Sequence, residues 1–120
     1  MIYLLIAFAV AGMSIAQLLL KKGLLNVGGL PHGIAELIPF FLRVYTNVYV
    51  IAAVVLTLLV ALSWVVVIAK IDLSQAYPFM ALTYVLVALF SLVILGEQVT
   101  FLRWAGIIMI CVGAFLVALT

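Results

Sequence analysis

Charge is the scarcest property of this sequence: only 7% of its 120 residues are charged, five basic and three acidic, whereas 72% are hydrophobic. A soluble domain of this length has too much surface for its volume to bury so much apolar area. The chain must therefore have lipid as its solvent, and we predict an integral membrane protein.

Other absences limit the chemistry. Cys111 is the only cysteine, which excludes an intrachain disulfide, and its place within an apolar run is typical of a small packing residue. No HxxE, CxxC or GxSxG pattern and no phosphate-binding loop occurs, so we expect no enzymatic activity, no cofactor and no metal site. The net charge of +2 comes without a basic aromatic patch, so nucleic acid is not an expected partner.

Long apolar runs dominate what is present, and they lack the alternation of barrel strands. The sequence therefore predicts an all-α polytopic membrane protein, a single domain over residues 1–120, with transmembrane helices at about 2–22, 48–69, 75–95 and 101–119. Each run, at about 1.5 Å per residue, can cross a hydrocarbon layer about 30 Å thick. The breaker-rich stretch between the first two predicts a short interfacial helix at about 31–45.

Helix ends and orientation follow from the few charges and prolines. We expect the first helix to end at Lys21-Lys22-Gly23, since lysines suit a helix C-terminus, and Pro78 to lie in or near the first turn of the third helix.

Four basic residues accompany the first and third loops, namely Lys21, Lys22, Arg43 and Arg103, and Lys70 alone accompanies the second. The positive-inside rule then places loops one and three in the cytoplasm and both termini outside.

Uncharged polar residues within the spans are candidates for a binding path. Ser14, Gln17 and Lys21 lie at i, i+3 and i+7, which forms one stripe from mid-membrane to the interface. Gln17 either hydrogen-bonds to another helix or lines a wet cavity. Tyr77 and Tyr84, seven residues apart, share a helix face and could line a site, although Tyr77 could equally be an interfacial anchor. Trp64 is a weaker candidate that packing would also explain.

The cationic residues Lys21, Lys22 and Arg103 fall on one predicted side of the membrane, with Glu97 nearby. Lysine and arginine hold phosphate groups well, so these residues could form a rim that captures an anionic headgroup. The alternative is phospholipid anchoring combined with orientation of the chain. No acidic residue lies near the centre of any span, which argues against proton-coupled exchange of organic cations.

Small residues on the fourth helix, Gly106 and Gly113, lie seven apart and predict a close helix–helix contact. Four helices enclose little volume. We therefore expect a dimer, either a homodimer or a heterodimer with a similar subunit, and helix four is one candidate for its interface.

Several stretches together resemble the drug/metabolite transporter superfamily. They are residues 74–78 (SQAYP), 96–100 (GEQVT) and 102–106 (LRWAG). With four spans the chain is similar to the half-size, EamA-like members, which include the small multidrug resistance proteins and the subunits of the aminoarabinose-phosphoundecaprenol flippase. Residues 12–17 (GMSIAQ), followed by Lys21, are more similar to the flippase subunits.

The resemblance implies a bacterial inner-membrane transporter subunit, and the first helix suggests its cargo. Small multidrug resistance proteins carry a glutamate in the middle of helix one, where this chain has Met13, Ser14 and Gln17. We therefore expect a flippase for a polyprenyl-phosphate-linked sugar or similar anionic lipid. A proton-coupled exporter of cationic drugs or metabolites, acting through Glu97, is the first alternative, and a non-transporting scaffold subunit is the second.

Overall fold

The computed structural model describes residues 1–120 and consists of helices joined by short loops, with no strands. The first elements are α1 (Ile2–Val27), α2 (Ile34–Tyr45) and α3 (Val48–Lys70). A third long helical segment, Leu73–Val93, comprises α4 (Leu73–Ala76), a 3₁₀ segment (Tyr77–Ala81) and α5 (Leu82–Val93), and α6 (Phe101–Ala118) follows. Four segments are long and apolar enough to cross a membrane. The prediction of an all-α membrane protein with four spans is confirmed.

The first helix continues beyond its predicted end. Lys21, Lys22 and Gly23 lie within α1, which ends only where Gly28 and Gly29 adopt left-handed φ angles of 61° and 54°. A residue with positive φ turns the chain out of the helix, and glycine adopts this conformation without steric cost. Lysines are compatible with a helix end but do not cause one. At 26 residues α1 is about 39 Å long, which exceeds the thickness of a hydrocarbon layer of about 30 Å.

The main packing seam joins α1 to α3, where small residues let the two backbones approach closely. An added Cβ at Gly12 would lie 2.7 Å from Val60 Cγ2, and one at Gly23 would lie 2.6 Å from Val50 Cγ2. Gly106 and Gly113 have nothing within 4 Å of that position. Within this chain the close helix contact therefore lies on α1, and neither glycine of the predicted seam on the fourth helix makes such a contact.

A proline changes the helix type in the third span. Pro78 is the sixth residue of this span, near its first turn as the sequence predicts, and the 3₁₀ segment surrounds it. Proline lacks the N–H that would continue the α-helical hydrogen-bond ladder, so the backbone tightens to a 3₁₀ geometry here. The segment gives α6 its main contact with the rest of the subunit.

The amphipathic helix α2 lies at the end of the bundle and contacts α1 and α3. Its linker is held by two hydrogen bonds: Arg43 Nη2 donates to the Gly29 carbonyl at 3.0 Å, and the His32 N–H donates to Glu36 Oε2 at 2.9 Å. Val44 is buried beneath the helix. The polar ends of Glu36 and Arg43 are thus used to fix the linker, and an apolar face of α2 remains for the bundle and the lipid.

Candidate functional site

The most polar concave surface of the protein is a groove between α1, α5 and α6. It consists of two adjoining cavities of about 280 and 450 Å³. Both are lined by Gln17, Val87, Ser91 and Glu97. We call this continuous surface the polar groove, and it runs along the parallel helices α1 and α5 toward the loop that follows α5.

One wall of the polar groove is the α1 stripe that the sequence singled out. Ser14 is buried, and its Oγ donates to the Val10 carbonyl at 2.8 Å. The Gln17 amide is exposed to the groove, and its hydrogen-bond contact is a weak one to Met13 Sδ at 3.7 Å. Lys21 stands about 10 Å from Ser14 along the helix. The amide of Gln17 therefore retains nearly all of its hydrogen-bonding capacity for a ligand.

The mouth of the groove carries charges of both signs. Lys21 Nζ lies 3.9 Å from Glu97 Oε1, and the two side chains are 50% and 46% exposed. Gly96, with φ of 70°, turns the chain so that the Glu97 N–H donates to the Ser91 carbonyl at 3.0 Å. Arg103 lines the same groove beyond Glu97. Glu97 thus stands between two cations, paired with Lys21 and sharing the lining of the groove with Arg103.

Two of the sequence candidates lie elsewhere. Tyr84 lines the polar groove, but Tyr77 packs edge-on against Trp64 with ring centroids 6.1 Å apart, beside a separate cavity of about 240 Å³. A 3₁₀ helix turns about 120° per residue and an α-helix about 100°, so five residues add a rotation of about 100°. This rotation removes Tyr77 from the face of Tyr84.

Lys22 also lies outside the groove. Its Nζ stands 5.3 Å from the centroid of the Tyr49 ring, on the side of α1 that faces α3. Adjacent helix positions differ by about 100° in direction, so Lys21 and Lys22 cannot both face α5. The predicted rim therefore reduces to Lys21, Arg103 and the intervening Glu97.

Two polar residues of the α5 wall were not among the sequence candidates, namely Thr83 and Ser91. Both line the groove, and the Thr83 hydroxyl donates to the Met80 carbonyl at 2.6 Å. A signal was present, because Ser91 lies seven residues after Tyr84 and continues the same helix face. No cluster of His, Cys, Asp or Glu lies close enough together to hold a metal ion. The groove is equipped to bind an anionic, hydroxylated group through two cations, an amide and hydroxyls.

Comparison with known proteins gives a consistent family assignment. The model of the EamA-like transporter family matches residues 1–119. A protein of Photorhabdus laumondii named "Probable 4-amino-4-deoxy-L-arabinose-phosphoundecaprenol flippase subunit ArnF" is 33% identical over 109 residues, which cover 88% of this chain and 86% of the relative. An ArnE subunit, named for the same flippase, from Pseudomonas savastanoi pv. phaseolicola is 31% identical over 84 residues, 70% of this chain and 74% of the relative. No solved structure gives a significant match.

Proposed function

Because this chain belongs to the EamA-like transporter family and is a membrane transporter subunit, we propose that its cargo is a polyprenyl-phosphate-linked sugar or a similar anionic lipid. The polar groove binds the headgroup, and the hydrocarbon chain stays in an apolar environment throughout. The similarity to ArnF and ArnE, which are named as flippase subunits for such a lipid, supports this cargo.

The observation that carries the proposal is the position of Lys21. It stands at the mouth of a groove lined by the uncharged polar groups of Gln17 and Ser91. A phosphate at Lys21 gains a charge-assisted hydrogen bond, and a sugar extending toward Gln17 meets amide and hydroxyl groups. Glu97 pairs with Lys21, and a phosphate that binds either displaces Glu97 or shares the lysine with it.

The test is binding of undecaprenyl phosphate to the purified protein in nanodiscs of neutral lipid. We expect Lys21→Gln to weaken binding of undecaprenyl phosphate about tenfold, because it removes a charge-assisted hydrogen bond to the phosphate. Lys22→Gln is the matched control, because it removes the same charge from the neighbouring position that faces Tyr49. Equal effects of the two substitutions would show that net charge alone attracts the lipid, and the groove would not be its site.

We also propose that the subunit functions as a pair, with a second copy or a similar subunit. No residue of α6 is buried, and the helix touches its own subunit mainly at the 3₁₀ segment. Cys111 lies midway along α6. Crosslinking through Cys111 in native membranes should give a dimer that Cys111→Ala abolishes, whereas a monomer alone would exclude this face as the interface.

A further inference from the structure

Besides the polar groove, Lys21 lines another cavity, on the side of α1 that faces α2. It measures about 550 Å³ and lies between the C-terminal turns of α1 and the helix α2. Its α1 wall includes Leu24 and Leu25, and its α2 wall is an aromatic row of Phe40, Phe41 and Tyr45. Lys21 is the only charged residue in the lining. We call this cavity the α1–α2 chamber.

Lys21 thus borders two spaces of opposite character. The polar groove lies on one side, and the apolar α1–α2 chamber lies on the other. A molecule with its anionic group at Lys21 can place a polar part in the first and a hydrocarbon part in the second. We propose that the chamber binds the first isoprenoid units of the lipid whose phosphate binds at Lys21; this inference rests on the proposed function.

The walls of the chamber are held in place before any ligand arrives. The hydrogen bonds of Arg43 and Glu36 fix the linker, and Val44 anchors α2 against the bundle. The rings of the aromatic row contact one another, with centroids 5.7 Å apart for Phe40 and Phe41 and 6.4 Å apart for Phe41 and Tyr45. A pre-formed apolar space costs less ordering on binding than one that must assemble around the chain.

The other large apolar cavity is less well placed for the isoprenoid chain. The cavity of about 470 Å³ lined by Val10, Ala11 and Phe79 shares no residue with the polar cavity at Lys21. Its nearest α1 residue, Ala11, lies about 15 Å along the helix from Lys21. A chain that leaves a phosphate at Lys21 meets the α1–α2 chamber directly. The positive charge at the entrance fits the negative phosphate at the head of the chain.

The experiment compares two ligands that share a phosphate: undecaprenyl phosphate, and methyl phosphate, which has no isoprene unit. Phe41→Ala trims a chamber residue that is 48% exposed, so the fold should survive the change. Ile38→Ala is the matched control, because Ile38 is 72% exposed on the same helix and does not line the chamber. We expect Phe41→Ala to weaken binding of undecaprenyl phosphate about tenfold and to change binding of methyl phosphate less than about twofold.

The outcomes separate this inference from the proposed function. Suppose that the Phe41→Ala variant binds undecaprenyl phosphate as tightly as the unaltered protein does, while Lys21→Gln weakens binding of both ligands. The isoprenoid chain then does not bind in the chamber, and the proposed headgroup site is still supported. If Lys21→Gln weakens neither ligand, both proposals fail. A photoreactive benzoylphenylalanine at position 41 should label undecaprenyl phosphate in mixed nanodiscs; labelling of phospholipid alone would overturn the assignment of the chamber to the isoprenoid chain.

Discussion

The α1–α3 seam offers the sharpest test of the packing, through Gly12→Ala. The added methyl carbon would stand 2.7 Å from Val60 Cγ2 and 3.6 Å from Leu56 Cδ1. Val60 is only 2% exposed, and the branched valine side chain has one strongly preferred rotamer in a helix. The methyl group therefore cannot be accommodated by a side-chain rotation. The two helices must separate by about 0.7 Å to restore an ordinary contact of 3.4 Å.

The magnitude is a balance of two effects. Overpacking of a well-packed interior costs about 1–3 kcal/mol. Alanine is favoured over glycine in a helix by about 1 kcal/mol, which offsets part of this cost. We expect a net loss of about 1 kcal/mol in the free energy of unfolding, measured by titrating the detergent-solubilised protein with sodium dodecyl sulfate and following helicity.

Gly113→Ala is the control, because the same methyl group on α6 meets nothing within 4 Å. In the isolated subunit it should leave the free energy of unfolding unchanged or raise it by up to about 1 kcal/mol. An unfolding midpoint for Gly12→Ala at or above that of the unaltered protein would refute the close approach of α1 and α3.

Two further predictions concern a helix cap and the ion pair. Asn47→Ala should lower the free energy of unfolding by about 1 kcal/mol, measured in the same titration, because the Asn47 side chain accepts the Tyr49 N–H at the start of α3. Glu97→Gln should strengthen binding of undecaprenyl phosphate by up to about fivefold, since it frees Lys21 from a half-exposed ion pair. Loss of proton-driven cation efflux in the same variant would instead favour the exporter alternative.

The spans were predictable because a continuous apolar run allows few other structures in lipid. The end of α1 was not, because Lys21 and Lys22 are only compatible with termination, whereas the positive φ of Gly28 is what ends the helix. The sequence does contain Gly28-Gly29 five residues beyond Gly23. Tertiary packing decides which of these two nearby glycine sites ends the helix. Gly23 remains helical because it packs closely against Val50 of α3.

The sequence predicts which site residues share a face when they lie on one regular α-helix. It does not predict this when a 3₁₀ segment lies between them. Gln17 and Lys21 share a wall because α1 is a regular helix, so their spacing alone fixes their common face. Tyr77 and Tyr84 have the same kind of spacing, but the 3₁₀ segment between them rotates one away from the other. Pro78 marks the position of this irregularity in the sequence. The extent of the rotation depends on how many residues adopt the tighter helix, which the sequence does not specify.

The chemistry of the α1–α5 interface changes midway along α1, and this constrains any transport step. On the side of Lys21 the interface is polar, whereas beyond Ser14 its cavity is lined by apolar side chains such as Val10 and Leu86. A charged group moved straight along this interface would meet a barrier of about 2.5–3.5 kcal/mol per charge on insertion scales. Polar contacts for the second half of the path must therefore come from outside this helix pair. The second subunit that we propose beside α6 would supply them.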